Sequence, residues 1–260
     1  MQIGPCKSRI NIFSSMRVYL YRKTIKIIKY LKHKKTRRQM RTQFWEDFNS
    51  YNRLIKPKSL DKRMIIPIID EKTKMTNIEP VYYFQDNWAF KKIIKSGIEK
   101  HVDIGSHHKF VGFLSIIIKT TMVDIRPPSV RLDSINFIYG SILKLPFKNN
   151  SLQSVSSLCV IEHIGLGRYG DKLNPKGTEE SARELKRVIK IGGSLYISVP
   201  IENENKIYFN AHRAFTEEYI LSLFSPLMLK SSKYITGKKF VDKKPEESCV
   251  GCYHFMNTEK

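Results

Sequence analysis

The sequence predicts an α/β fold, a mostly parallel sheet with helices on both faces, preceded by a basic helical extension. From Gln85 onward, short apolar runs alternate with stretches of helical periodicity. A glycine, Gly105, follows the first apolar run, and an acid, Asp124, closes the second. The charge is lopsided: of a formal net charge of +22 over 260 residues, +14 falls in residues 1–60, where 16 Lys or Arg face only Glu46 and Asp47.

A chain of this length accommodates one α/β core of roughly 100 to 250 residues plus an extension. An apolar share of 41% and a charged share of 27% are ordinary globular values and argue against a chain disordered throughout. Cys6, Cys159, Cys249 and Cys252 are too scattered for the disulfide framework of a small secreted domain, so a reducing compartment is expected. No run approaches the roughly 18 apolar residues of a spanning helix, and no apolar signal-peptide region precedes a small-residue cleavage site. The expected setting is the cytoplasm, with peripheral attachment to the inner face of a membrane as an option.

The expected organisation is a basic amphipathic helical extension over 1–60, a connector over 61–76 and the α/β domain over 77–260. Phe13, Met16, Leu20, Ile27 and Leu31 recur at helical spacing with Arg17, Arg22, Lys26 and Lys29 between them. Lys32 to Arg38 is too charged to pack in a core, and Pro57, Pro67 and Pro80 interrupt helical continuity. Next come a helix over Asp86–Ile94 ending near Gly97, a strand over His101–Ile104, a helix over Phe110–Ile118 and a strand over Thr121–Ile125, stopped by Pro127 and Pro128. Further strands are expected at Asn136–Tyr139, Gln153–Ile161 and Gly193–Pro200, with a helix over Thr178–Ile189 before the last. A helix near Thr216–Leu223 and strands near Leu227–Ile235 and Ser248–Phe255 complete the series. Cys249-Val250-Gly251-Cys252 falls in the last strand, lacks the second pair that zinc requires, and reads as core.

In open parallel sheets the ligand lies beyond the carboxyl ends of the strands. Gly105 permits close backbone approach there, and Asp124, 19 residues later, suits a carboxylate accepting from both hydroxyls of a ribose. Either Asp103 or Asp124 would also serve as a helix cap; in this ordered context the ligand role is favoured.

The ordered series resembles class I, Rossmann-like methyltransferases of the methyltransferase-11 type. It comprises Asp103-Ile104-Gly105, Asp124, Leu145-Pro146-Phe147 with Asn150-Ser151-Leu152, Val160 to Ile164, Glu184 to Val188 and Gly192 to Tyr196. The stretches Gly167 to Asp171 and Phe209 to Arg213 further resemble a bacterial methyltransferase-like group of unknown function found among polysaccharide-biosynthesis genes. The resemblance implies S-adenosyl-L-methionine as cofactor. It places Asp103, Gly105 and Ser106 beside the methionine part, Asp124 and Ile125 at the ribose, Ser141 and Ile142 beside the adenine, and Glu162 with His163 facing the cleft. The sequence departs from the family at His107 and His108, where glycine usually recurs, and at Ser141, where an acid usually stands. Loss of one charge-assisted contact costs about 1.5 to 3 kcal/mol, roughly 10- to 100-fold in binding.

Methyl transfer to a hydroxyl requires alignment, exclusion of water and removal of a proton. His163 and His212 are the candidate bases, Glu162 the carboxylate that orients one of them or binds a substrate hydroxyl. Arg213 would grip an anionic sugar, phosphate or carboxylate, with Asn210 beside it. Glu162 and His163 fit a structural hydrogen-bonding role equally well. His107 and His108 lack partners for a metal set and read as loop residues, so no metal is expected.

The expected activity is methylation of a small molecule or glycan, with a sugar or nucleotide-sugar implied by the resemblance alone. The competing expectation is a catalytically degenerate binding protein whose basic helix, residues 7–41, attaches to an anionic membrane, or less favourably to nucleic acid. A nicotinamide enzyme ranks last, because the G-x-G-x-x-G turn is missing.

Overall fold

The computed structural model describes residues 34–55, 60, 63 and 65–258. The amphipathic helix expected between Phe13 and Leu31 lies outside the described residues. The chain divides into two compact units, Met1–Asn77 and Ile78–Lys260. The described part of the first unit contains a helix over 34–54 (α1). Its exposed side chains reach the following segment through Arg37 to Asp70 (3.3 Å) and Lys72 to Asp47 (2.8 Å). Exposed pairs of this kind contribute little stability.

The second unit opens with α2 (Pro80–Lys95). Its start near residue 80, rather than 86, has a local cause. Pro80 occupies the first helical turn, where its missing N–H is no loss, and the Glu79 carboxylate accepts from Val81 N (3.2 Å) and Tyr82 N (2.7 Å). The elements that follow are β1 (Lys100–Ile104), α3 (His108–Ile117), β2 (Lys119–Asp124), β3 (Ile135–Tyr139), β4 (Leu152–Leu158), α4 (Gly177–Val188) and β5 (Ile189–Ile201). Then come β6 (Lys206–Tyr208), β7 (His212–Ala214), α5 (Glu217–Phe224), β8 (Met228–Thr236), β9 (Lys239–Val241) and β10 (Cys249–Met256).

Eight strands form one sheet in the order β3-β2-β1-β4-β5-β10-β8-β9, and β6 and β7 form a separate hairpin. Strands β3 to β5 are mutually parallel, while β10 inserts antiparallel between β5 and β8. The chain order reverses between β1 and β4, which opens a crevice at their carboxyl ends. The register Ile104↔Val123 and Asp124↔Tyr139 brings the ends of β1, β2 and β3 level at that crevice.

Both faces of the central strands are buried, as parallel sheets require. Val102, Ile104, Val155, Leu195, Ile197 and Leu185 belong to one core. Trp88, Phe110, Leu114, Met122, Leu158 and Tyr196 belong to the core on the opposite face. Cys249 joins the first core and Cys252 the second, so the C-x-x-C pair is core, split across the sheet. Arg187 of α4 fixes the loop after β3, donating to Leu145 O (3.1 Å), Phe147 O (2.8 Å) and Glu184 (2.7 and 2.8 Å).

Candidate functional site

The crevice floor rests on a buried polar ladder. His101 and Asp103 alternate with apolar Val102 and Ile104 on β1, so they share the face opposite those two, where Ser154 and Ser156 of β4 meet them. His101 Nδ1 and Nε2 lie 2.8 Å from Ser154 Oγ and 2.8 Å from Ser156 Oγ, respectively. Ser156 Oγ in turn donates to Asp103 Oδ2. Because Ser156 spends its proton on Asp103, it accepts from His101 Nε2–H, and Ser154 donates to Nδ1. Burial supports this neutral tautomer by pushing His101 down to about 3, and it pushes Asp103 up to about 6.

Asp103 Oδ1 accepts from Ser106 N (3.0 Å), and Ser106 Oγ accepts from Leu158 N (2.9 Å). Both side chains are buried and shape the Gly105 loop from beneath rather than line the cleft. Gly105 itself has φ +69°. A Cβ there would lie 3.2 Å from Val160 Cγ1 and 4.0 Å from Asp124 Oδ2. His107 caps α3, its Nδ1 accepting from Lys109 N (3.3 Å), and stacks on His108.

On the adjoining wall Asp124 Oδ1 accepts from Arg126 N (2.8 Å), whereas Oδ2 has no hydrogen-bond partner among the described residues. Ser141 Oγ accepts from Leu143 N (3.2 Å), closing its own turn, and Ile142 is buried beside it. The resulting cleft encloses about 110 Å3. Gly105, Asp124, Ile125, Ser141, Ile142 and His163 all line it.

The opposite wall is the loop after β4. That strand stops at Leu158, earlier than the apolar run suggests, because Cys159 takes φ +51° and turns the chain. Cys159 Sγ and Ser198 Oγ meet Gln85 Oε1 of α2 at 3.1 and 2.7 Å. Glu162 is 1% exposed, and its Oε2 has no hydrogen-bond partner among the described residues. Burial raises Glu162 to about 8, so at neutral pH it holds its proton. His163 Nδ1 lies 2.6 Å from Ala211 O, and its Nε2 lies 3.7 Å from Glu162 Oε1, too far for a hydrogen bond. The carbonyl fixes the His163 proton on Nδ1 and leaves Nε2 as acceptor. Burial lowers His163 to about 4, so the ring is neutral.

Glu162, expected to face the cleft, is instead buried behind its lining. Besides Glu162, Asp103 and Ser106, three further candidates lie outside that lining. Arg213 is buried, with Nη1 donating to Ile164 O (2.5 Å) and Nη2 to Asn174 O (3.2 Å), so its guanidinium holds the loop after β4. Asn210 is exposed in the β6–β7 turn at φ +59°. His212 packs on Tyr208, with ring centroids 5.0 Å apart.

Gln85, His101, Ser154 and Ser156 are site-supporting residues that sequence reasoning missed. The available signal was alternation, His-x-Asp on β1 against Ser-x-Ser on β4, polar where parallel strands are otherwise apolar. Asp86 of α2 is also raised by burial, to about 7. Among the described residues no cluster of His, Cys, Asp and Glu would hold a metal ion.

Residues 131–236 match a family described as a Caenorhabditis protein of unknown function, DUF268. No curated protein matches the chain. Among solved structures, the N-methyltransferase NodS from Bradyrhizobium japonicum WM9 in complex with S-adenosyl-L-homocysteine is 14% identical. It covers 70% of this chain and 90% of its own, with a TM-score of 0.52. A second NodS structure is 16% identical over 71% of this chain and 100% of its own, again with a TM-score of 0.52. The [4+2]-cyclase SpnF is 10% identical over 66% and 81%, with a TM-score of 0.50. These likenesses establish the fold as that of the class I methyltransferases. The presence of a cyclase among them shows that the fold alone does not dictate the reaction.

The residues present fit an adenosyl cofactor. A close-approach glycine stands opposite a carboxylate with an uncommitted oxygen, at the point where the strand order reverses. Asp124 and Gly105 would hold its ribose and methionine parts, with Ser141 and Ile142 beside the base.

Proposed function

We propose that the chain is an S-adenosylmethionine-dependent methyltransferase acting on a hydroxyl of a small molecule or glycan. The observation that carries this is the placement of neutral His163, Nε2 unprotonated, in the same cleft as Gly105 and Asp124. The cofactor supplies an electrophilic methyl group. His163 Nε2 accepts the hydroxyl proton, and Ala211 O, bonded to Nδ1, stabilises the imidazolium that forms. Glu162, protonated and buried beside His163, adds no negative charge to the cleft wall. Asp103 and Ser106 support the loop, and Arg213 positions the one that carries His163.

A sugar or nucleotide-linked sugar as acceptor rests only on the resemblance of Gly167 to Asp171 and Phe209 to Arg213. The test is transfer of label from [methyl-3H]S-adenosylmethionine to a pool of monosaccharides and nucleotide sugars. Transfer that falls about 100-fold or more in His163→Ala supports the reading. No transfer removes the glycan acceptor, and equal transfer by the variant removes His163 as base.

A second reading is favoured by one surface. Lys34, Lys35, Arg37, Arg38 and Arg41 are concentrated at the start of the described part of α1, and Trp45 is exposed one turn further on. A basic helix carrying an aromatic suits an anionic membrane surface. Among the described residues no helix is long and apolar enough to cross a membrane. Flotation with phosphatidylserine vesicles, set against salt-dependent DNA retention, separates the two anionic partners.

A further inference from the structure

One aromatic ring at the cleft mouth carries two guanidinium groups. Arg126 Cζ lies 4.3 Å from the Tyr169 ring centroid, and Arg168 Cζ lies 5.1 Å from the same centroid. Arg126 follows β2 and Arg168 belongs to the loop after β4, so one ring gathers cations from two different loops. Both are exposed, whereas Tyr169 is half-buried and lines the cleft.

The cations are only partly balanced: Arg126 has one long ion pair, its Nε 3.9 Å from Asp124 Oδ1, and Arg168 has none among the described residues. Arg168 donates from Nη1 to Ala211 O (3.0 Å), which fixes its head while leaving other N–H groups uncommitted. The nearby Asp171 is spent on backbone, accepting from Gly165 N (2.6 Å) and Tyr169 N (3.3 Å). Two cations held on one ring repel each other unless an anion lies between them. A planar guanidinium fork matches phosphate and carboxylate oxygens.

We propose that Arg126 and Arg168, seated on Tyr169, form an oxyanion subsite for the phosphate or carboxylate of a small hydroxylated acceptor. The Tyr169 and His163 rings meet edge to face with centroids 5.6 Å apart, so the subsite adjoins the His163 imidazole. An anion held at Tyr169 would therefore anchor the acceptor beside His163. This assigns to Arg126 and Arg168 the anion contact that the sequence suggested for Arg213. The role of the bound molecule as methyl acceptor rests on the methyltransferase reading; anion binding itself does not.

Calorimetric titration of the full chain with glucose 6-phosphate, glucuronate and glucose tests the subsite. We expect both anions to bind at least about 10-fold more tightly than glucose, with the preference weakening as salt rises. Arg126→Gln/Arg168→Gln should abolish that preference, and Lys238→Gln/Lys239→Gln, at the β8–β9 turn and the start of β9, should preserve it. Equal affinity for the three probes, no binding of either anion, or an unchanged preference in the double Arg variant overturns the proposal. The comparison of probes in the unmodified chain remains decisive if the double variant does not fold. Parallel titration with S-adenosylhomocysteine separates the readings: anion preference without nucleoside binding keeps the subsite and removes the methyltransferase.

Discussion

His163 Nδ1 lies 2.6 Å from the carbonyl oxygen of Ala211, a residue 48 positions further along the chain. That bond ties the loop after β4 to the β6–β7 hairpin and fixes which imidazole nitrogen is free. It gives the hairpin a purpose beyond connection: the turn that carries Asn210 sets the tautomer of His163.

His163 is lowered to about 4, so Nε2 is available as acceptor throughout the neutral range. The kcat/KM profile is expected to show no inflection near 6.5 and to fall only as pH approaches about 4. An acid limb centred near 6.5 would mean that the ring is solvated and ordinary.

Stability should depend on pH through Glu162. Its folded pKa, raised to about 8, exceeds its unfolded value near 4.5. Its contribution is therefore fully present below about 4.5 and is lost as pH rises through about 8. Asp86 acts in the same sense through about 7. His101 and His163 act oppositely: their contributions are present above about 6.5 and lost as pH falls through about 3 and 4. Melting scans from pH 5 to 9 should show Tm falling toward alkaline pH, with a shallower fall in Glu162→Gln. Parallel curves for the two proteins would count against a buried, protonated Glu162.

The polar ladder beneath the cleft should be sensitive to Ser156→Ala. The substitution strands Asp103 Oδ2 and His101 Nε2, both buried, at about 1 to 3 kcal/mol for each unsatisfied group. In a domain of this size about 1 kcal/mol moves Tm by roughly 2 to 4 °C. Thermal denaturation reads the shift, and an unchanged Tm would show that the ladder is not coupled to folding.

Gly105→Ala forces a Cβ into a left-handed backbone at φ +69°, 3.2 Å from Val160 Cγ1. A destabilisation of about 1 to 2 kcal/mol is expected from backbone handedness. The same methyl group intrudes on the cleft, so nucleoside affinity should fall by more than stability alone explains. Denaturant titration and calorimetry, run together, measure the two effects separately.

Much of the sheet was legible in the sequence, because strand and helix periodicities alternate from β1 to β5 and glycine or proline marks the breaks. The β6–β7 hairpin was not, since Lys206 to Ala214 carries no sustained alternation and the pairing is held by neighbouring loops. The end of β4 was misplaced because the apolar run continues through Ile161, while the turn is made by Cys159, a residue without turn chemistry. At the site, Gly105 and Asp124 were legible from the spacing of strand ends. Arg213 shows what spacing leaves out: whether a charged head faces ligand or backbone depends on the Ile164 and Asn174 carbonyls, which lie 49 and 39 positions away. The Arg126–Tyr169–Arg168 cluster was hidden likewise, because its members belong to different loops.

The most direct test of a working cofactor cleft is calorimetric titration of the full chain with S-adenosylhomocysteine, repeated with Asp124→Ala. Saturable binding to the unmodified chain, weakened about 10- to 100-fold in the variant, is the predicted result. No heat with the unmodified chain, or the same affinity in both proteins, would contradict it.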